Sequence, residues 1–169
     1  MVNNYSWYYL NTYVTNKDKE DHLEYIVDGQ QRLTTLTLIL IKLRHYAKKL
    51  NDIPLQNTIT EKIIHGAEDE CKFWLVHERY EECMKQLFEK EDNDIKTNEL
   101  TVKDMLNNYS VISSYINKKF DEDKDNNKFK RFVKFFIEKL ILVNLSIVQT
   151  DAPMIFEVIN DRGVRLRPY

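Results

Sequence analysis

YIVDGQQRLTTLTLILIKLRHYAKKL, residues 25–50, decides how the chain reads. Leu23, Tyr25, Ile26 and Val27 are bulky and mostly β-favouring, and Asp28-Gly29 bounds them. That pattern predicts a short strand ending in a tight turn. From Gln30 no Gly or Pro follows until Pro54, and Leu33, Leu36, Leu40, Leu43, Ala47 and Leu50 recur at three- and four-residue steps. That spacing is one face of a helix. Asp28 is placed as its N-cap, and Arg44, His45, Lys48 and Lys49 fill its last turns, where cations suit the helix dipole. Residues 33–41 are apolar or β-branched on nearly every side, so a strand competes there. A run of about 20 residues exceeds a normal strand, which favours a helix, and one apolar all round is buried.

The turn has the chemistry of an anion site. A helix start leaves N–H groups unpaired and carries partial positive charge. Gly29 lets a ligand approach the backbone, Gln30 and Gln31 offer amides, and Arg32 offers a planar fork matched to phosphate. The bland alternative is a plain strand-to-helix turn with solvated side chains. Magnitudes limit the site. Each charge-assisted hydrogen bond contributes about 1.5–3 kcal/mol and the helix end adds up to about 2. Micromolar binding needs about 8 kcal/mol beyond the ~4–15 lost on immobilisation. One turn is insufficient; a base pocket, a metal ion or a second cationic group must contribute.

The run Ile26-Val27-Asp28-Gly29-Gln30-Gln31-Arg32-Leu33-Thr34-Thr35-Leu36 resembles the signature of the N-terminal domain of GmrSD-type modification-dependent restriction endonucleases. A second segment, Ile155 to Leu166, is similar to that family's Phe-Glu-x-x-Asn-x-x-Gly-x-x-Leu pattern. The resemblance covers most of the chain, with its specificity at the two ends. It implies a ParB/sulfiredoxin-like fold associated with nucleotide binding and hydrolysis. The family's Tyr/Gln/Arg-containing motif upstream of the hairpin has no good counterpart; Asn4-Tyr5-Ser6-Trp7 is at best a remnant.

The resemblance implies a nucleoside triphosphate as ligand, with Mg²⁺ as a possible companion. Gly29, Gln30, Gln31 and Arg32 would bind it, with Asn160, Arg162 and Gly163 of the second segment as further contacts. Asp28 and Arg32 are the candidate catalytic residues. Asp28 could position water or hold the metal, and Arg32 could stabilise the transferred phosphoryl group; Asp28 could equally be only the cap. No Walker-type loop is present, so P-loop chemistry is excluded. No resident metal site is expected from protein ligands alone: the four His are scattered. Cys71 and Cys83 are too few for a disulfide framework and lack metal-ligand spacing, and they suit a reducing cytoplasm.

At 169 residues with only three Gly and three Pro, the expectation is one helix-rich domain with few tight turns. Ten Tyr and eight Phe promise an aromatic core. A net charge of −2 gives no global attraction for nucleic acid, so DNA would be met by a local patch, by a partner or by a downstream nuclease domain. The basic stretch from Lys118 to Lys139 is interleaved with acids and reads first as a solvated face. No apolar run has transmembrane length.

Along the chain, strands are expected at 7–14, 23–27, 71–76 and 140–148, the last one buried. Helices are expected at 30–50, 59–64, 78–90, 101–120, 129–139 and 152–160, with residues 51–57 a loop and Thr101 with Asp104 a capping box. The predicted fold is α+β: a small sheet from the first two strands and the Leu140 strand, wrapped by several helices. The expectation for function is a nucleotide-binding and hydrolysing module of a DNA restriction system. The alternatives are a non-catalytic ParB-like sensor of DNA or nucleotide, or a truncated remnant. No nuclease constellation is evident, and the chain reads as a fragment incomplete at both ends.

Overall fold

The computed structural model describes residues 7–17, 24–66, 72–76, 79–91, 95, 97–121 and 126–148. They fall into two units, one from residues 1–31 and 137–169, the other from 32–136.

The first unit is a sheet. β1 (Tyr8–Lys17) and β2 (Glu24–Asp28) form an antiparallel pair, and β5 (Leu140–Ile147) runs parallel to β1 on its other side. The order is β2-β1-β5; the three strands are those the sequence predicts, and the structure adds their order and orientation. Its central strand holds the buried residues Val14 and Thr15, and the Thr15 hydroxyl donates to Asn144 Oδ1 at 2.9 Å. An irregularity between Tyr9 and Asn11 leaves Leu10 as an extra residue in β1. Asn11 there has φ 151°, and its side-chain oxygen accepts from Thr12 N at 2.8 Å. A locally bonding Asn is suited to such a bulge.

β5 corrects one expectation. LILVNLSIV reads as a buried strand, but among the described residues it is the last strand of the sheet, and Leu145 is 45% exposed, with Ile141 and Val143 also exposed. A continuous apolar run fits a central strand and an apolar edge equally well, and pairing decides between them.

The second unit is helical. α1 (Gln30–Lys49) contributes residues 32–49 to it, followed by α2 (Ile53–Thr60), a hairpin of β3 (Ile64–His65) and β4 (Lys72–Phe73), α3 (Glu81–Glu89), α4 (Leu100–Phe120) and the first part of α5 (Asn126–Glu138). Residues 33–41 are helical, as length favours, and the rival strand reading fails. Burial is not all round: Leu33, Leu36, Ile39 and Leu40 are half-buried, whereas Leu38, Ile41, Lys42, Leu43, His45, Tyr46 and Ala47 are buried.

The joint between α1 and α2 is short because both ends are capped. Asn51 takes φ 55°, the left-handed conformation that ends many helices. Asn51 N donates to Lys48 O and Asp52 N to Ala47 O, closing the last turn. Asp52 then caps α2 by accepting from Leu55 N at 3.2 Å, with Pro54 in the first turn. The expected loop over 51–57 and helix over 59–64 are thereby corrected, since an Asp cap followed by Pro is a helix start. The Thr101 capping box also fails: Glu99 is the N-cap of α4 and makes no side-chain cap bond.

An aromatic cluster joins the end of α1 to α4 and α5. The Tyr46, Phe120, Phe129 and Phe132 rings lie 4.7–5.8 Å apart in tilted and edge arrangements, a geometry favoured by ring quadrupoles. The Tyr46 hydroxyl donates to Asp121, which also pairs with Lys49 at 2.7 Å. The helix expected at 152–160 lies outside the described residues. Among the described residues, no helix is long and apolar enough to cross a membrane.

Candidate functional site

The Asp28–Gln31 turn lies wholly within the sheet unit. Asp28 ends β2 opposite Val14, so it remains in the strand ladder. The helix begins at Gln30, which leaves the cap position to Gly29 and moves Asp28 one residue before it. Gly29 has φ 92°. A Cβ is unfavourable in that conformation, so the residue type follows from the turn geometry.

Gln30 donates from its side-chain amide to Ile26 O at 3.2 Å, which ties the helix start back to the strand. Its carbonyl oxygen remains an acceptor. Gln30 and Gln31 are exposed, while Asp28, Gly29 and Arg32 are half-buried. The first turn of α1 holds no acidic residue, so no carboxylate of that turn offsets the positive end of the helix. Arg32 is the first residue of the helical unit.

The cations further along α1 do different work. The Arg44 guanidinium donates to Phe88 O at 2.9 Å and to the Thr60 hydroxyl at 3.0 Å, and lies 4.0 Å from the Phe88 ring centre. His45 Nε2 sits 2.7 Å from Leu87 O. Lys42 is 1% exposed and pairs with Glu91 just beyond α3. The last carbonyls of α3 lack helical partners, and Arg44 and His45 supply donors to two of them.

Burial lowers the His45 pKa, the bond to Leu87 opposes that, and Arg44 adds to the lowering. The neutral tautomer that donates from Nε2 fits both the bond and the shift. Burial pushes the Glu91 carboxyl up, but the Lys42 ammonium outweighs it and holds the group below the usual carboxylate range. Sequence reading placed Arg44 and His45 among the dipole cations of their own helix; they serve the end of another. The available signal was Lys42 between Ile41 and Leu43, a charge inside an apolar run.

A hollow of about 230 Å³ lies in the helical unit among Leu50, Asn51, Asp52, Pro54, Asn126 and Lys130. Its two charged residues pair with each other, Lys130 to Asp52 at 2.7 Å. That bond holds the Asp52 carboxyl below its ordinary value.

Asn160, Arg162 and Gly163 lie outside the described residues, as does the rest of the second family segment. Cys71 does too, while Cys83 is buried and its thiol is pushed up to about 11 by burial. Among the described residues, no group of three His, Cys, Asp or Glu could hold a metal ion.

A family model described as the N-terminal domain of GmrSD restriction endonuclease matches residues 2–169. The match spans essentially the whole chain, and the chain belongs to this family. A search of curated proteins finds no match.

Proposed function

We propose that this chain, an N-terminal domain of the GmrSD restriction endonuclease family, is the nucleotide-responsive part of a DNA restriction system. A nucleoside triphosphate is seated by its phosphates at the Gly29–Gln31 turn, and Arg32, next in the chain, supplies the guanidinium. The observation that supports the reading most is Gly29 itself. Its positive φ joins a strand end to the start of a 20-residue helix with no acid in the first turn. Backbone N–H groups of that first turn are the donors an anion needs.

Asp28 is the candidate carboxylate for the reaction: it would hold Mg²⁺ when that ion is bound, or orient the attacking water. Arg32 offsets charge on the transferred phosphoryl group. Asn160, Arg162 and Gly163, which the family resemblance adds, would supply binding energy that one turn lacks. DNA is the substrate of the system as a whole, acted on through a nuclease domain or partner.

The test is phosphate release from each nucleoside triphosphate with and without Mg²⁺, for wild type, Arg32→Ala and Lys130→Ala. Turnover is expected in wild type and Lys130→Ala, with a loss of about 100-fold in Arg32→Ala. Equal rates in wild type and Arg32→Ala sink the hydrolytic role.

A further inference from the structure

The β3–β4 hairpin carries a tryptophan that packing alone does not account for. Trp74 is 64% exposed, yet it is fixed at three points. Its backbone N–H donates to Ile63 O at 3.0 Å and its indole N–H to Glu61 O at 3.0 Å. The His65 imidazole stacks on it with centroids 4.2 Å apart and planes 30° apart. A ring covered on both faces could not keep that exposure, so the face away from His65 is open.

Strand alternation explains the arrangement. Ile64 pairs with Phe73 and His65 with Lys72. Phe73 turns inward and meets the Phe88 ring edge-on at 5.7 Å. His65 and Lys72, the other cross-strand pair, are exposed, and so is Trp74, which follows β4.

We infer that Trp74 is a stacking platform for a nucleobase, backed by His65, with Lys72 as the cation for the adjoining phosphate. A π-face beside a cation is the recurring means of holding an unpaired strand. An indole already immobilised loses little freedom on binding. An aliphatic partner would not need the flat orientation that the indole bond and the imidazole stack enforce. The site lies entirely in the helical unit and does not depend on the phosphate turn.

The chain has two tryptophans, Trp7 and Trp74, so Trp7→Phe leaves Trp74 as the sole indole reporter. Titration uses two probes, a single-stranded oligonucleotide and a nucleoside monophosphate. Saturable quenching by the oligonucleotide at lower concentration identifies a strand as the source of the base; equal potency of the monophosphate identifies free nucleotide. Trp74→Leu and Trp74→Phe lack that reporter and are compared with wild type by the fluorescence anisotropy of a dye-labelled oligonucleotide: Trp74→Leu keeps apolar bulk without a π-face and is expected to weaken binding about 10-fold or more, and Trp74→Phe falls between it and wild type. If the Leu variant does not fold, the quenching result alone decides. Absence of saturable quenching by both probes, or a folded Leu variant that binds as tightly as wild type, overturns the inference.

Discussion

The two ends of α1 differ in burial: its start is exposed or half-buried, whereas Lys42 and His45 further along are buried. At the start, Gly29, Gln30 and Gln31 form a turn whose side chains are exposed or half-buried and whose first helical turn lacks an acid. Further along, Lys42, Arg44 and His45 are directed at groups of their own unit: Glu91, Phe88 O, Thr60 and Leu87 O. The lesson is that cations such as Lys42, Arg44 and His45 do not announce their role in the sequence; the groups they meet in the folded unit define it.

The largest expected effect lies at the buried end. Glu91→Gln leaves the Lys42 ammonium without its countercharge and should cost about 3 kcal/mol, the low end for a broken buried pair because Glu91 is half exposed. Adding Lys42→Met should recover most of that loss, since an apolar side chain of similar length needs no partner. Chemical denaturation reads both. A neutral Glu91→Gln would mean that this end is as solvated as the other.

Gly29→Ala comes next. A Cβ at φ 92° should cost roughly 1–2 kcal/mol of stability and disturb the helix start. Nucleotide binding should fall further than stability does. An Ala variant with unchanged stability would show that the turn does not require its backbone conformation.

The pH dependence follows from His45. Its folded pKa is lowered, chiefly by burial, so the unfolded chain takes up the proton first as pH falls below about 6.5. Stability should be full above that value and decline as pH falls through the folded pKa. His45→Gln can still donate to Leu87 O and should flatten this window. Glu91 adds a separate loss at lower pH, because its carboxyl is held below the ordinary range.

The smallest effect concerns the joint after α1. Asn51→Ala should cost about 1 kcal/mol, whereas Asn51→Gly should be neutral or slightly stabilising, because φ 55° suits Gly best.

Much of the fold was legible. The strand before Gly29 and the helix after it follow from local pattern, and the three members of the sheet were identified by their β-branched and aromatic content. The start of α2 was legible in Asp52 and Pro54 but was read as a loop, because Pro weighed as a breaker. The exposure of β5 was not legible, since neighbours in the sheet are set by long-range pairing. Nor were the roles of Arg44 and His45, which depend on where the end of α3 falls. The Asp28–Gln31 turn was legible as a motif, and its geometry adds Gly29 as the cap and a bond from Gln30 back to its strand.

The most direct test is a titration of the ¹⁵N-labelled chain with a non-hydrolysable nucleoside triphosphate and Mg²⁺, following backbone amides. The account predicts saturable shifts at the Gly29, Gln30 and Gln31 amides, lost in Arg32→Ala, with the amides of Leu87 and Phe88 unmoved. Saturable binding that leaves residues 29–31 unshifted, or no binding at millimolar nucleotide, would contradict it.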